Sequence, residues 1–140
     1  MKMTICGSIK FSNEMKQAKS DLEKLGHEVL IPLSADLNHD KEFWKRLREE
    51  NLGNFATLKR ERMKGHFDKI RSSDAILVLN YDKNDKQNYI GPNTFLEMAV
   101  AFDNDKRIFL LNPISSEDIN YEELISLSPT VINGNFSEIK

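Results

Sequence analysis

The sequence predicts a single domain, residues 1–140, of doubly wound, Rossmann-like α/β class, with a sheet of four or five parallel strands. Three observations predict it. Short apolar runs alternate with amphipathic helical stripes along most of the chain. The run from Ala75 to Leu79 is apolar at every position, as a strand buried on both faces requires. A length of 140 residues suits one domain with one continuous core.

The first strand is expected over Met3 to Cys6, ending at Gly7-Ser8. A helix follows from about Ser12, a good N-cap residue, with Met15, Ala18, Leu22 and Leu25 on one stripe. Gly26 is placed to stop it in the left-handed conformation. Val29-Leu30-Ile31 makes a second short strand closed by Pro32, completing a βαβ unit. From Ser34 to about Lys64 the chain is rich in charge, with scattered Phe43, Trp44, Leu47, Phe55 and Leu58. It reads as two helical pieces separated near Gly53-Asn54, forming a lid or a subunit contact because the aromatics need a partner. A stripe of Met63, Phe67 and Ile70 then leads to the third strand at Ala75. A polar loop runs from Asn80 to Pro92, a helix from about Asn93 to Phe102, and a fourth strand from Ile108 to Leu111. A last helix near Tyr121 to Leu127 precedes a short strand at Thr130 to Ile132.

Composition narrows the class. Hydrophobic residues make up 39% and charged residues 30%, and the net charge of −2 gives no electrostatic case for a nucleic acid polymer. No apolar run approaches the roughly 20 residues that span a bilayer. The start, Met1 to Cys6, is too short an apolar stretch for a signal peptide. The single cysteine, Cys6, forms no internal disulfide and fits a reducing compartment, so a cytoplasmic protein is expected. Cys6 itself reads as a small buried hydrophobe.

In such folds ligands bind beyond the carboxyl ends of the strands. Three loops converge there: residues 7–11, 80–94 and 112–116. Gly7, Ser8, Ile9 and Lys10 combine close backbone approach, a hydroxyl and a cation, which suits a phosphate or carboxylate; a plain tight turn has the same pattern. The turn lacks the three-glycine dinucleotide fingerprint and is not a Walker loop, so no cofactor is expected. In Gly91-Pro92-Asn93-Thr94-Phe95-Leu96-Glu97, the carboxylate of Glu97 stands at the mouth of this site and has the chemistry of a nucleophile toward an anomeric carbon. Thr94-x-x-Glu97 is also the pattern of a capping box, the commoner use of that spacing. Tyr81 and Tyr89 either stack on a base or cover the sheet edge. His66 is a candidate proton donor. His27, His39 and His66 are too scattered, without a Cys or acidic partner at ligand spacing, to argue for a metal.

Together these motifs resemble the nucleoside 2-deoxyribosyltransferase superfamily, including its deoxynucleoside 5′-monophosphate N-glycosidase branch. The likeness rests on Ile5 to Lys10, on Ser73 to Val78, and most specifically on Asn93 to Phe102. It implies a five-stranded sheet of flavodoxin-like order, a homodimer or larger assembly, and Glu97 as the nucleophile that attacks C1′ and releases the base. It also implies that Ser8 helps hold a 5′-phosphate. Two positions depart from the family pattern. Thr4 stands where a first-strand tyrosine often contacts the catalytic carboxylate, and His66 stands where an aspartate is usual, with Asp68 two residues later. The function expected is cleavage or transfer at the N-glycosidic bond of a nucleoside or nucleoside 5′-monophosphate by Glu97, with His66 or Asp68 protonating the base. Asn80, Tyr81, Gly91, Asn93 and Thr94 would shape the sugar and base pocket. The rival reading is a nucleotide-binding sensor that keeps the site without efficient chemistry.

Overall fold

The computed structural model describes residues 1–140. Five strands form one parallel sheet in the order β2-β1-β3-β4-β5: β1 Lys2–Cys6, β2 Glu28–Leu30, β3 Ala75–Val78, β4 Arg107–Leu110 and β5 Thr130–Val131. This is the flavodoxin-like order. β3 lies at its centre, and the alternation of side chains divides its apolar run between two cores. Ala75 and Leu77 join Met3, Ile5 and Phe109 on one face, covered by Met15, Ala18 and Leu22 of α1 (Ser12–Lys24). Ile76 and Val78 join Cys6 and Leu110 on the other. That face is covered by Ile70 of α4 (Leu52–Arg71), Met98 and Ala101 of α5 (Pro92–Asp103), and Leu124 of α6 (Tyr121–Ser126). Each large apolar side chain removed from water in this way contributes about 1.5–3 kcal/mol. No helix is long and apolar enough to cross a membrane.

Several local expectations are corrected. Ser12 does not cap α1; a 3-10 turn at Ile9–Phe11 precedes the helix, Ser8 caps that turn, and the Ser12 hydroxyl donates to the Ile9 carbonyl instead. Gly26 does end the helix at a positive φ of 93°, but Leu25 falls off the buried stripe and is half exposed to solvent. A short α2 (Leu33–Asp36) precedes α3 (Lys41–Glu50). The break between α3 and α4 comes at Asn51, whose side chain accepts from the Asn54 N–H, so Gly53 and Asn54 lie inside the first turn of α4. The remainder of α4 is continuous to Arg71.

β1 runs between β2 and β3, so the chain leaves it toward one side and returns on the other. That switch point leaves a crevice beyond Cys6 and Val78. Gly7 belongs there for a steric reason: a Cβ at that position would stand 3.1 Å from Met15 Cε and 3.3 Å from the Leu79 carbonyl.

Candidate active site

Three elements bring three chemically active side chains together at the base of this crevice, Glu97 and His66 lining it and Cys6 buried behind them. Glu97 lies in the second turn of α5. That helix begins at Pro92 with Gly91 as its N-cap, and proline is suited to the first helical position because its missing N–H needs no partner there. Thr94 is therefore already inside the helix, and Thr94-x-x-Glu97 is not a capping box. The Glu97 carboxylate points inward instead and is only 3% exposed. Its Oε2 lies 3.2 Å from Nε2 of His66 on α4. His66 is 6% exposed, and its Nδ1 is buried without a hydrogen-bond partner. Cys6, the last residue of β1, brings its Sγ to 3.6 Å from the same Nε2.

Burial governs the protonation of this cluster. It raises the Glu97 carboxyl from 4.5 to about 8, with the charge of Lys59 opposing. It lowers His66 from 6.5 to about 4, assisted by the charge of Lys69. It also raises the Cys6 thiol well above its usual value, with the Glu97 charge acting in the same sense. At neutral pH the Glu97–His66 pair thus holds one proton across a contact short enough for that proton to move. The thiol, imidazole and carboxylate all lie within 4.8 Å of one another. His66 therefore does have a Cys and an acidic partner, supplied by the fold rather than by sequence spacing. A soft divalent cation would find three donors here once the thiol and carboxyl lost their protons.

Above the cluster opens a cavity of about 350 Å³, within the ~300–1,000 Å³ usual for small-molecule sites. Gly7, Ser8 and Ile9 edge it from the turn after β1, and Gly91, Asn93 and Thr94 from the start of α5. These six sequence-predicted residues come together with Glu97 and His66. Trp44 of α3 and Phe55 of α4 form an apolar wall, their rings edge to face at 5.9 Å. The charged segment between β2 and β3 is thus one side of the cavity.

Four other expectations are corrected. Asp68 faces away from the cavity: its side chain is 75% exposed and pairs with Arg71 one turn on. Two residues along a helix turn the side chain through about 200°, so His66 and Asp68 cannot share a face. Lys10 is exposed and does not line the cavity. Lys83 takes its place, its Nζ donating to Ser8 Oγ at 2.9 Å. Positive φ angles at Asn84 and Asp85 turn the chain there, and the bridge between Lys83 and Lys86 closes that turn. Asn80 is buried away from the cavity as a clasp. Its amide exchanges hydrogen bonds with the Asn112 main chain, and the Asn112 side chain donates to the Asn80 carbonyl. Tyr81 packs edge to face on Phe11, 5.1 Å between centroids, and covers the first core. Tyr89 is the tyrosine that reaches the cavity. Thr4 is buried and bonded to the Ser73 hydroxyl at 2.8 Å, so it does not serve Glu97.

Sequence reasoning missed the cationic lining: Lys41, Lys45 and Arg48 from α3, and Lys59 and Arg62 from α4. Their spacing carries a signal, because 41, 45 and 48 share one helical face, as do 55, 59, 62 and 66.

No family model and no curated protein matches the chain. Solved structures do. A 2-deoxyribosyltransferase from Bacillus psychrosaccharolyticus is 17% identical with a TM-score of 0.64, covering 99% of this chain and 90% of that one. The Clostridium botulinum CMP N-glycosidase is 14% identical with a TM-score of 0.52, covering 99% and 94%. Over nearly its whole length, the chain has the fold shared by this 2-deoxyribosyltransferase and this CMP N-glycosidase.

Proposed function

We propose that this chain is an enzyme of the N-glycosidic bond, acting on a nucleoside or its 5′-monophosphate with Glu97 as nucleophile. The observation that carries the reading is a buried carboxyl at the floor of the strand-end cavity, 3.2 Å from an imidazole able to take its proton. The fold likeness to two enzymes whose names describe deoxyribosyl transfer and CMP N-glycosidase activity supports it.

The chemistry follows from the single proton of the pair. Transfer of that proton from Glu97 to His66 leaves a carboxylate facing an imidazolium. A carboxylate oxygen attacks C1′ and the C1′–N bond breaks, its electron pair leaving with the base. The proton held by His66 neutralises the departing base. The glycosyl ester on Glu97 is then opened at C1′ by water, which restores the carboxyl and gives the free sugar, or by a second base, which gives a new nucleoside. Ser8 and Lys83 hold the 5′-phosphate, and Trp44 and Phe55 offer the base an apolar wall.

A second reading, a nucleotide sensor without turnover, is favoured by one observation: burial keeps Glu97 protonated at neutral pH, and a carboxylic acid is not a nucleophile. Base release from a panel of nucleosides and 5′-monophosphates, followed by chromatography, decides between them. Release by the wild type that collapses in Glu97→Gln establishes the enzyme; nucleotide binding by both proteins with release by neither establishes the sensor.

A further inference from the structure

The cavity carries more positive charge than a monophosphate can satisfy. Lys41, Lys45, Arg48, Lys59, Arg62 and Lys83 all line it, and Glu97 is the only acidic residue that does. None of these six cations is in an ion pair; the side-chain pairs of the protein are Lys19–Glu23, Lys24–Asp21, Arg71–Asp68 and His66–Glu97. Arg62 is held by neutral partners, the Ser34 hydroxyl at 2.8 Å and His39 Nδ1 at 3.0 Å, which orient its charge without cancelling it. Arg62 and Lys59 both stand over the Trp44 ring, at 5.6 and 5.7 Å from its centroid. Lys83 feels the charges of Lys41 and Lys10, which add to burial in pushing it below the usual lysine value.

The acidic residues of the same segment are kept apart from this set. Asp40, Glu42 and Glu50 gather with Phe43, Arg46 and Leu47 around a separate hollow, on the side of α3 away from the cavity. Lys41, Lys45 and Arg48 form a stripe about 10 Å long, at 1.5 Å of rise per residue. A stripe of that length suits an extended anion rather than a compact one. A phosphate monoester brings at most about two negative charges, and Ser8, Lys83 and Lys41 are enough to receive it.

We propose that the preferred ligand of this cavity is a nucleotide bearing a 5′-diphosphate or 5′-triphosphate, its first phosphate at Ser8 and Lys83 and its further phosphates along Lys45 and Arg48. The nucleotide part of this inference rests on the function proposed above, while the charge of the ligand rests on the cations alone. Unpaired cations gathered in one cavity repel one another, and a chain of phosphates turns that repulsion into charge-assisted hydrogen bonds.

The test uses calorimetry on Glu97→Gln, which leaves the ligands uncleaved, with the nucleoside and the 5′-mono-, di- and triphosphates of one base. Affinity is expected to climb with each phosphate, the triphosphate binding on the order of 100-fold tighter than the monophosphate and losing more affinity as salt is raised. Lys45→Gln combined with Arg48→Gln is expected to narrow that gap to on the order of tenfold. A monophosphate that binds as tightly as the triphosphate overturns the inference, as does an unchanged gap in the double variant. Base release by the wild type, measured on the same panel, separates the two readings. Release from the monophosphate with a flat affinity series overturns the inference and leaves the proposed function standing. A climbing series with no release from any member upholds the charge preference and removes the proposed function.

Discussion

Replacing Glu97 with glutamine tests the buried proton directly, through stability rather than turnover. The amide keeps the shape of the carboxyl and still donates to His66 Nε2, so packing and pairing survive. What disappears is a titration. Between the ordinary carboxyl value of 4.5 and about 8, the unfolded chain has released the Glu97 proton while the folded chain retains it. The native state binds more protons in that window, so its stability falls as pH rises and levels off above about 8. His66 acts in the opposite sense: from 6.5 down to about 4 the unfolded chain takes a proton that the folded chain refuses, so stability falls as pH drops. In the wild type the two effects nearly cancel below 6.5, and Glu97 acts alone from there to about 8. At about 1.4 kcal/mol per pH unit for one proton, that last window is worth about 2 kcal/mol. Titrations elsewhere are common to both proteins and drop out of the difference. Urea denaturation of both proteins at the two ends of the window should therefore show Glu97→Gln gaining about 2 kcal/mol on the wild type toward the alkaline end. A difference that stays constant across the window would refute a carboxyl held protonated by burial.

Four further outcomes follow from the placement of single residues. His66→Gln should lower base release by about 10²–10⁴ fold at neutral pH, because the proton of Glu97 then has no acceptor; an unaltered rate would remove His66 from the chemistry. Lys83→Met should weaken binding of a 5′-monophosphate on the order of tenfold and leave the free nucleoside unaffected, measured by calorimetry. Asp68→Ala should change stability by less than about 0.5 kcal/mol and leave base release intact, since its carboxylate is in solvent beside Arg71; a large loss of activity would mean that α4 is rotated from the orientation described. Asn80→Ala strips partners from both the N–H and the carbonyl of Asn112, and should cost about 2–3 kcal/mol in a denaturant titration.

The strands were legible because a central parallel strand has to be apolar on both faces, and Ala75 to Val78 is so without interruption. Gly26 was legible because few residues other than glycine accept its φ. Helix entries were less so. Ser12 and Thr94 each looked like a cap, yet the first helix is preceded by a 3-10 turn that Ser8 caps, and the fifth is started by Gly91-Pro92. The dependable signal there was the proline, not the hydroxyl. At the site, Glu97 and His66 stand out as candidates by their own placement, and the resemblance favours Glu97 as nucleophile over the cap; Asp68 would share the role of His66 only through a two-residue shift of the helix. The period of α4 forbids that shift, since Ile70, buried in the core, is one turn after His66 and leaves Asp68 on the far side. Cys6 reads correctly as a small buried residue, but its place beside His66 is not legible, because a strand pattern records that a residue is apolar, not what stands across from it. The cations escaped for a different reason. A net charge of −2 sums over faces that never meet, whereas a ligand meets one cavity. Lysines and arginines at 41, 45, 48, 59 and 62 already share helical faces in the sequence, and Asp40, Glu42 and Glu50 already lie off them. Charge counted by helical face, rather than over the chain, would have shown a strongly positive wall inside an acidic protein.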